Sequence, residues 1–549
     1  MAAIITDDFR RNSATFLIND IIDKNAGSTD DSPEQELGGY EYFVGIGKSD
    51  SWDNDTSGNA EADQNFSTPL PNGSVAESQE VIDNLIGAVA VKIDSAKHVI
   101  PRINYVPARR YKRWNKYDPD MFNVSTDSVG TVYPCYAVHN DKLYICLDNN
   151  YDAQYQANGS EIPGATSVAP TGTSTSKDPT GFISHAAAGG GDGYLWAYIS
   201  DVETSGIFNT DQFVQITNSE TGTGAAAATG GVIYGFEIQN GGASLTTSTG
   251  GQNGDFQLVI SDATGKDPKI LDCQATITNG AVVGFTCASL DTVGEIKTHK
   301  DVERASVRMT ATVAAQASTD PIIKPLIAPA DGFGAVPTND LPAFYVGLSV
   351  NFNDNTGGEL PTSVTYRQIS VLRNPTRQAL NDSPEPSGKG TYDLNEVYNA
   401  LRRFKVTANT NLSTITAGDI ITESTADGNY DGNADGSGDS VNDYNKAKAF
   451  VDYTETVGSD YYIYFHQNES SKVNQNDFTT GDATNTKITV TKASDGSTIQ
   501  EYTYESTSLL QTDHPEYKPR TGDVMFLENR KPIQRAANQE EEIKLVIQF

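Results

Sequence analysis

Along most of the chain, apolar residues alternate with polar ones in short runs, the period of strands with one covered face. VIYGFEI, DFQLVIS, CQATIT and AVVGFTC lie between about 219 and 296, FYVGLSVNF and SVTYRQISVL follow, and YYIYFHQ, KITVTK and EYTYES come after 405. YEYFVGIG near the start and AVAVKI after Gly87 add two more strands. Gly, Asn, Asp, Ser and Thr crowd the gaps, which is the turn chemistry that short antiparallel strands need. The final run, EIKLVIQF, sets Ile543, Leu545, Ile547 and Phe549 against Lys544, Val546 and Gln548. Such a run must dock into a sheet to hide its apolar side.

Helical spacing appears in three places. Phe9, Phe16, Leu17 and Ile21 could share a stripe on a helix from Asp7 to Ile22. Ser74 and Glu77 make a capping box ahead of Val81, Ile82, Leu85 and Ile86, which predicts a second helix. Asp393 and Glu396 stand as reciprocal caps around Leu394, Val397, Tyr398, Leu401 and Phe404, which predicts a third.

At 549 residues the chain is too long for one ordinary core. Shifts in composition divide it into an N-terminal core (1–218), an inserted all-β module (219–296), a continuation of the core (297–404), a second inserted all-β module (405–518) and C-terminal strands completing the core (519–549). Residues 160–191, rich in Ser, Thr, Pro, Gly and Ala, read as an extended connector. The expected fold is mainly β with a few helices (α+β), multidomain, with a β-sandwich-like core.

Charge narrows the function classes. A formal net charge of −33 repels phosphate backbones, so nucleic acid is not expected as a partner. No apolar run is long enough to span a bilayer, and no basic-then-apolar start marks a secretory signal. The expectation is a soluble protein without a membrane partner. Cys135 and Cys146 flank one hairpin with Asn140-Asp141 as its turn, and Cys273 and Cys287 flank another with Asn279-Gly280. Either pair could form a cross-strand disulfide or hold a metal; four small buried thiols in a reducing compartment is the simpler reading.

Candidate chemistry is sparse. GKS at Gly47–Ser49 suggests a phosphate loop, but Tyr42 stands where its first glycine belongs. GTGAAA at 222–227 has no strand leading in and no helix leading out. Six histidines are scattered, with no HExxH and no GxSxG elbow, so an enzyme is not expected. In DGNYDGNADGSGDSVND, Asp431, Asn433, Asp435 and Asp439 fit a calcium loop, while Asn442 replaces the closing Glu. The bland alternative is a solvated acidic loop, and no cofactor is otherwise implied.

The stretch PRINYVPARRYKRWNK (101–116) carries Arg102, Arg109, Arg110, Lys112, Arg113 and Lys116 with no acid, interleaved with Tyr105, Tyr111 and Trp114. Arg and aromatic anchors favour protein interfaces. Within so acidic a chain, Arg102, Arg109, Arg110, Tyr111, Arg113 and Trp114 are the candidate contact with an acidic neighbouring subunit. A solvated or internally paired loop is the plainer reading, and nucleic acid the third.

Five blocks then give the chain a family likeness. GIGKSDSW (45–52), NGSVAESQEVIDNLIGAVAVKI with HVIPR (72–102), GDGYLWAYI (191–199), YRQISVLRNP (366–375) and TGDVMFLENRKPIQRAANQEEEIKLVIQF (521–549) occur in the order found in that family. The chain resembles the gene-8 baseplate wedge subunits of T-even-like contractile phages, most specifically at Glu528, Asn529 and Arg530 ahead of Pro532 and Ile533. The blocks cover about a third of the chain, and 219–296 and 405–518 fall outside them. The resemblance implies a mainly β structural protein of the virion tail baseplate, assembled in the host cytoplasm. It implies a homodimer that bridges other wedge subunits and rearranges when sheath contraction is triggered, with no catalytic residues. The rivals are a glycan-binding tail fibre or adhesin, suggested by the β-rich insertions and the acidic loop, and a hydrolase on a β scaffold.

Overall fold

The computed structural model describes residues 6–25, 42–50, 52, 68–127, 130–149, 164–171, 183–184, 192–202, 206–216, 233–246, 251–261, 269–287, 304–329, 332–352, 364–375, 397–407, 410–425, 448–466, 486–503, 521–535 and 541–549. The protein is mainly β, with antiparallel pairing throughout apart from short parallel contacts, and with a few helices. It divides into two compact units: Met1–Ile18 with Lys97–Gly347 and Leu545–Phe549, and Asn19–Ala96 with Leu348–Lys544. Among the described residues no helix is long and apolar enough to cross a membrane.

The second unit holds a five-stranded sheet in the order Val397–Asn399, Leu85–Ala90, Tyr42–Gly47, Thr365–Arg373, Asp523–Gln534. Phe43, Leu85, Ala88, Ala90 and Leu372 form its apolar cluster. Gly45 sits where a Cβ would lie 2.6 Å from Leu85 Cδ1 and 2.9 Å from Ser370 Oγ, so the close strand approach depends on its missing side chain. The same unit holds a six-stranded sheet in the order Arg402–Val406, Asp460–His466, Lys448–Val457, Ile420–Thr425, Thr486–Thr491, Thr498–Thr503. Phe404, Ile421, Val451, Ile463, Phe465, Ile488 and Val490 build a separate core there.

In the first unit, Tyr136–His139, Lys142–Asn149, Tyr194–Asp201 and Ile183–Ser184 form one sheet. Asn140 and Asp141 both take positive φ, as a two-residue hairpin turn requires. Asn279 and Gly280 do the same in a second sheet, ordered Ala281–Thr286, Lys269–Thr278, Phe256–Ser261, Arg304–Met309. Ile233–Asn240 pairs with Ile322–Ile327, and one apolar cluster serves both groups. The strands that begin between 219 and 296 are thus closed by partners beyond 296.

Three helical expectations meet different outcomes. The first helix runs Asp7–Asn25; of the expected stripe Ile21 is buried, but its other buried apolar residues are Ala14 and Ile18, and Phe9 and Phe16 are 62% and 65% exposed. Two faces of this helix carry apolar side chains at helical spacing, so spacing could not choose between them. The second helix runs Val75–Asp83, with Ser74 Oγ accepting from the Glu77 N–H at 3.1 Å. It stops at Asn84, and Leu85 and Ile86 belong to the following strand. The third expectation is wrong where it can be seen: Val397–Asn399 and Arg402–Val406 are strands. Val397 pairs with Val89 and Tyr398 with Ala88, so β-branched and aromatic residues joined a sheet edge despite helix-like spacing. Residues 391–396, with the expected caps, lie outside the described residues.

The terminal strand Glu541–Gln548 buries Ile543 and Leu545, leaves Ile547 half-buried and exposes Lys544 and Gln548. The alternation of the sequence holds over Ile543, Lys544 and Leu545 and fades at Val546 and Ile547, which are both half-buried. Phe549 donates its N–H to the Phe344 carbonyl at 3.0 Å.

Candidate functional site

The basic–aromatic stretch begins where the strand Ala96–Pro101 ends. Arg102 Nε donates to Asn104 Oδ1 at 2.9 Å, and its Nη1 donates to Asn209 Oδ1 at 2.6 Å. Ala108, at φ 66°, turns the chain, and the Ala108 N–H is held by the Thr166 carbonyl at 2.7 Å. Arg109 Nη1 donates to the Asn104 carbonyl at 3.1 Å, while its guanidinium lies 4.3 Å from the centre of the Tyr133 ring. Arg110 and Tyr111 then pair in parallel with Val132 and Tyr133.

The aromatic residues of the stretch point inward. Tyr111 is fully buried and packs edge-on against Trp196 at 5.4 Å; its N–H donates to Tyr194 Oη at 3.2 Å. Burial is the main reason its hydroxyl is pushed up to about 12. Trp114 meets Phe333 edge-on at 5.1 Å, and its carbonyl accepts from Tyr234 Oη at 2.6 Å. Arg113 is buried too, with Nη1 donating to the Phe236 carbonyl at 3.1 Å.

The six candidate contact residues therefore separate. Tyr111, Arg113 and Trp114 are taken up inside this chain and offer no surface to a neighbour. Arg102, Arg109 and Arg110 stay half-exposed, with Lys112 beside them. Arg102, Arg109 and Lys112 donate to amide and carbonyl oxygens at these contacts, so their charge meets no carboxylate there.

A second polar site went unread in the sequence. After the strand Tyr42–Gly47, Lys48 adopts φ 60° and folds its ammonium inward, 3.2 Å from Asp50 Oδ1 and 4.8 Å from the centre of the Trp52 ring. That ammonium is engaged by its own loop, which leaves the GKS segment without the cradle a phosphate needs. Ser49 Oγ donates to Asp452 Oδ1, and the Ser49 carbonyl accepts from Arg367 Nη1 at 2.6 Å. His466 Nδ1 lies 3.0 Å from both oxygens of Asp452. Ser49, Asp452, His466, Lys48 and Arg367 are all buried. The carboxylate stands between serine and histidine, so the imidazole is in no position to take the serine proton. Nothing in a linear reading joins Ser49 to a residue 403 positions away.

Asp431, Asn433, Asp435 and Asp439 lie outside the described residues, as do GTGAAA and three of the histidines. Among the described residues no group of three His, Cys, Asp or Glu side chains is placed to hold a metal ion. Cys273 and Cys287 are disulfide-bonded, with Cα atoms 4.2 Å apart, where free thiols had been the simpler expectation. The tight hairpin turn brings the two opposite each other. Cys135 and Cys146 are also opposite across their hairpin, but they are buried free thiols packed in different apolar clusters.

No protein-family model matches the chain, and no curated protein matches it.

Proposed function

We propose that this chain is a structural, non-catalytic subunit of the baseplate wedge of a contractile phage tail, assembled in the host cytoplasm and resident in the virion. One observation carries the reading. Four of the blocks that resemble wedge subunits, scattered along the chain from residue 45, contribute to four adjacent strands of one sheet: Leu85–Ala90, Tyr42–Gly47 (its last three residues), Thr365–Arg373 and Asp523–Gln534. Their polar residues also meet. Trp52 Nε1 donates to the Arg530 carbonyl at 3.1 Å, Gln368 Nε2 to Asn529 Oδ1 at 3.0 Å, and Arg367 to the Ser49 carbonyl. Short pieces that each resemble one family and then meet in space support reading them as one core. Chance matches would have no reason to become neighbours.

On this reading the protein works through its surfaces. It pairs with itself and binds other wedge subunits, holding a metastable arrangement that repacks when the tail meets its host. The half-exposed Arg102, Arg109 and Arg110 are the contact we assign to an acidic neighbour. Sedimentation of the purified chain, alone and mixed with the other wedge proteins, tests the proposal. A dimer that enters a larger complex is expected. A chain that ignores those proteins and instead binds host cells would overturn it in favour of an adhesin.

A further inference from the structure

The unit formed by Asn19–Ala96 and Leu348–Lys544 contains two separate apolar clusters, one in each of its sheets. The loop after Gly47 reaches the hairpin Lys448–Val457/Asp460–His466 through the buried polar groups described above. We propose that Ser49 on one side and the Asp452–His466 pair on the other form a charge-held latch, which docks the six-stranded module against this loop and lets go when the pair loses its proton. The inference does not rest on the wedge reading.

Three features carry it. The contacts are directional: the Ser49 hydroxyl donates to Asp452, and both Asp452 oxygens face His466 Nδ1. They are also dry, with Ser49, Asp452 and His466 almost entirely removed from solvent. Loss of one partner would leave a buried charge uncompensated, which makes partial opening costly and favours two discrete states. Gly418, from the module, comes close to the same loop, where an added Cβ would lie 3.5 Å from Asp50 Cβ.

The charges around the latch fix its sign. Facing it are Lys48 and Asp50 on the loop, Glu80 on the helix through Lys48 at 3.9 Å, and Arg367 on its strand. Asp419 lies in the module but turns its carboxylate to Thr416 and the Ala493 N–H. A protonated His466, with Lys48 and Arg367, stands against Asp452, Asp50 and the more exposed Glu80. A neutral imidazole leaves an excess of negative charge. Burial pulls the His466 pKa down, but the Asp452 charge and hydrogen bond, helped by Asp50, outweigh burial and Lys48 and hold it above the ordinary value of 6.5. A group with a raised folded-state pKa stabilises fully below its unfolded value and loses that contribution as pH rises through the folded value. The latch is therefore closed at pH below the ordinary histidine value and opens as pH rises through the raised one.

Hydrogen exchange of the intact protein between about pH 6 and about pH 9, corrected for intrinsic rates, reads this directly. Protection of the Lys448–His466 hairpin and of the loop after Gly47 should fall together by about tenfold or more as pH rises. In His466→Gln, protection there should be low at every pH. Ser49→Ala keeps both charges and removes only the bond between loop and hairpin, so it serves if the histidine variant does not fold; it should lower protection of the loop and the hairpin while Ile420–Thr425, Thr486–Thr491 and Thr498–Thr503, the strands of the module away from the latch, stay protected. Wild-type protection that does not change over this range, or hairpin protection in either variant equal to wild type at about pH 6, overturns the proposal.

Discussion

Trp52 Nε1 donates a hydrogen bond to the carbonyl of Arg530 at 3.1 Å, joining the first and last family-like blocks across 478 positions of sequence. The indole is 8% exposed and lies under the Lys48 ammonium. Trp52→Phe removes one N–H and leaves a carbonyl unsatisfied, which should cost about 1 kcal/mol. Trp52→Ala also removes a large buried ring and should cost about 3 kcal/mol or more. Denaturant unfolding of the two variants checks both values and their order.

The basic stretch gives a contrast within sixteen residues. Arg109→Glu with Arg110→Glu changes half-exposed side chains and should block assembly with wedge partners while leaving the melting temperature close to wild type. Trp114→Ala opens a cavity beside Phe333 and Tyr234 and should lower the melting temperature without a specific assembly defect. Thermal melts run beside complex formation separate the two roles; normal incorporation of the double Arg variant would remove this contact from the account.

Much of the fold was open to a linear reading, and particular residues show why. Asn140-Asp141 and Asn279-Gly280 needed only local turn chemistry, and both turns formed. Ser74 and Glu77 marked a helix start for the same reason. The strand at Val397–Asn399 was missed because its partner, Leu85–Ala90, lies some three hundred residues away, and pairing overrode helical spacing. The interface stretch was half legible. Composition found the Arg and aromatic residues together, but only the packing of Trp196, Tyr194 and Phe333 decides that Tyr111 and Trp114 turn inward. The Ser49–Asp452–His466 network left no trace in sequence, since each residue is unremarkable beside its own neighbours.

Asp192 gathers four donors: Thr166 Oγ1 at 2.6 Å and the N–H groups of Ser167, Val168 and Tyr194 at 2.7, 3.0 and 3.1 Å. Burial would raise its carboxyl pKa, but these hydrogen bonds outweigh burial and hold it below the ordinary value of 3.8. A depressed folded-state pKa contributes stability that is full above the unfolded value and is lost as pH falls through the folded one. Acid unfolding of the unit containing Asp192 should therefore begin as pH drops below about 4. Asp192→Asn should be less stable at neutral pH and show a shallower acid dependence; parallel acid titrations by circular dichroism compare them.

The Cys273–Cys287 bridge closes a loop with a sequence separation of 14. Loops of this size gain about 3 kcal/mol from cross-linking in the chain-entropy model. Reductant, or Cys273→Ala with Cys287→Ala, should lower the stability of the sheet around Phe256 and Phe285 by an amount of that order. Calorimetry with and without reductant measures it. The six-stranded sheet, whose described residues include no cysteine, should melt unchanged.

Composition of purified tails tests the central claim most directly. Quantitative mass spectrometry of gradient-purified tails should find this chain at a fixed ratio to the other baseplate proteins, retained after the fibres are stripped. A chain absent from purified tails and recovered free in the lysate of infected cells would contradict the assignment.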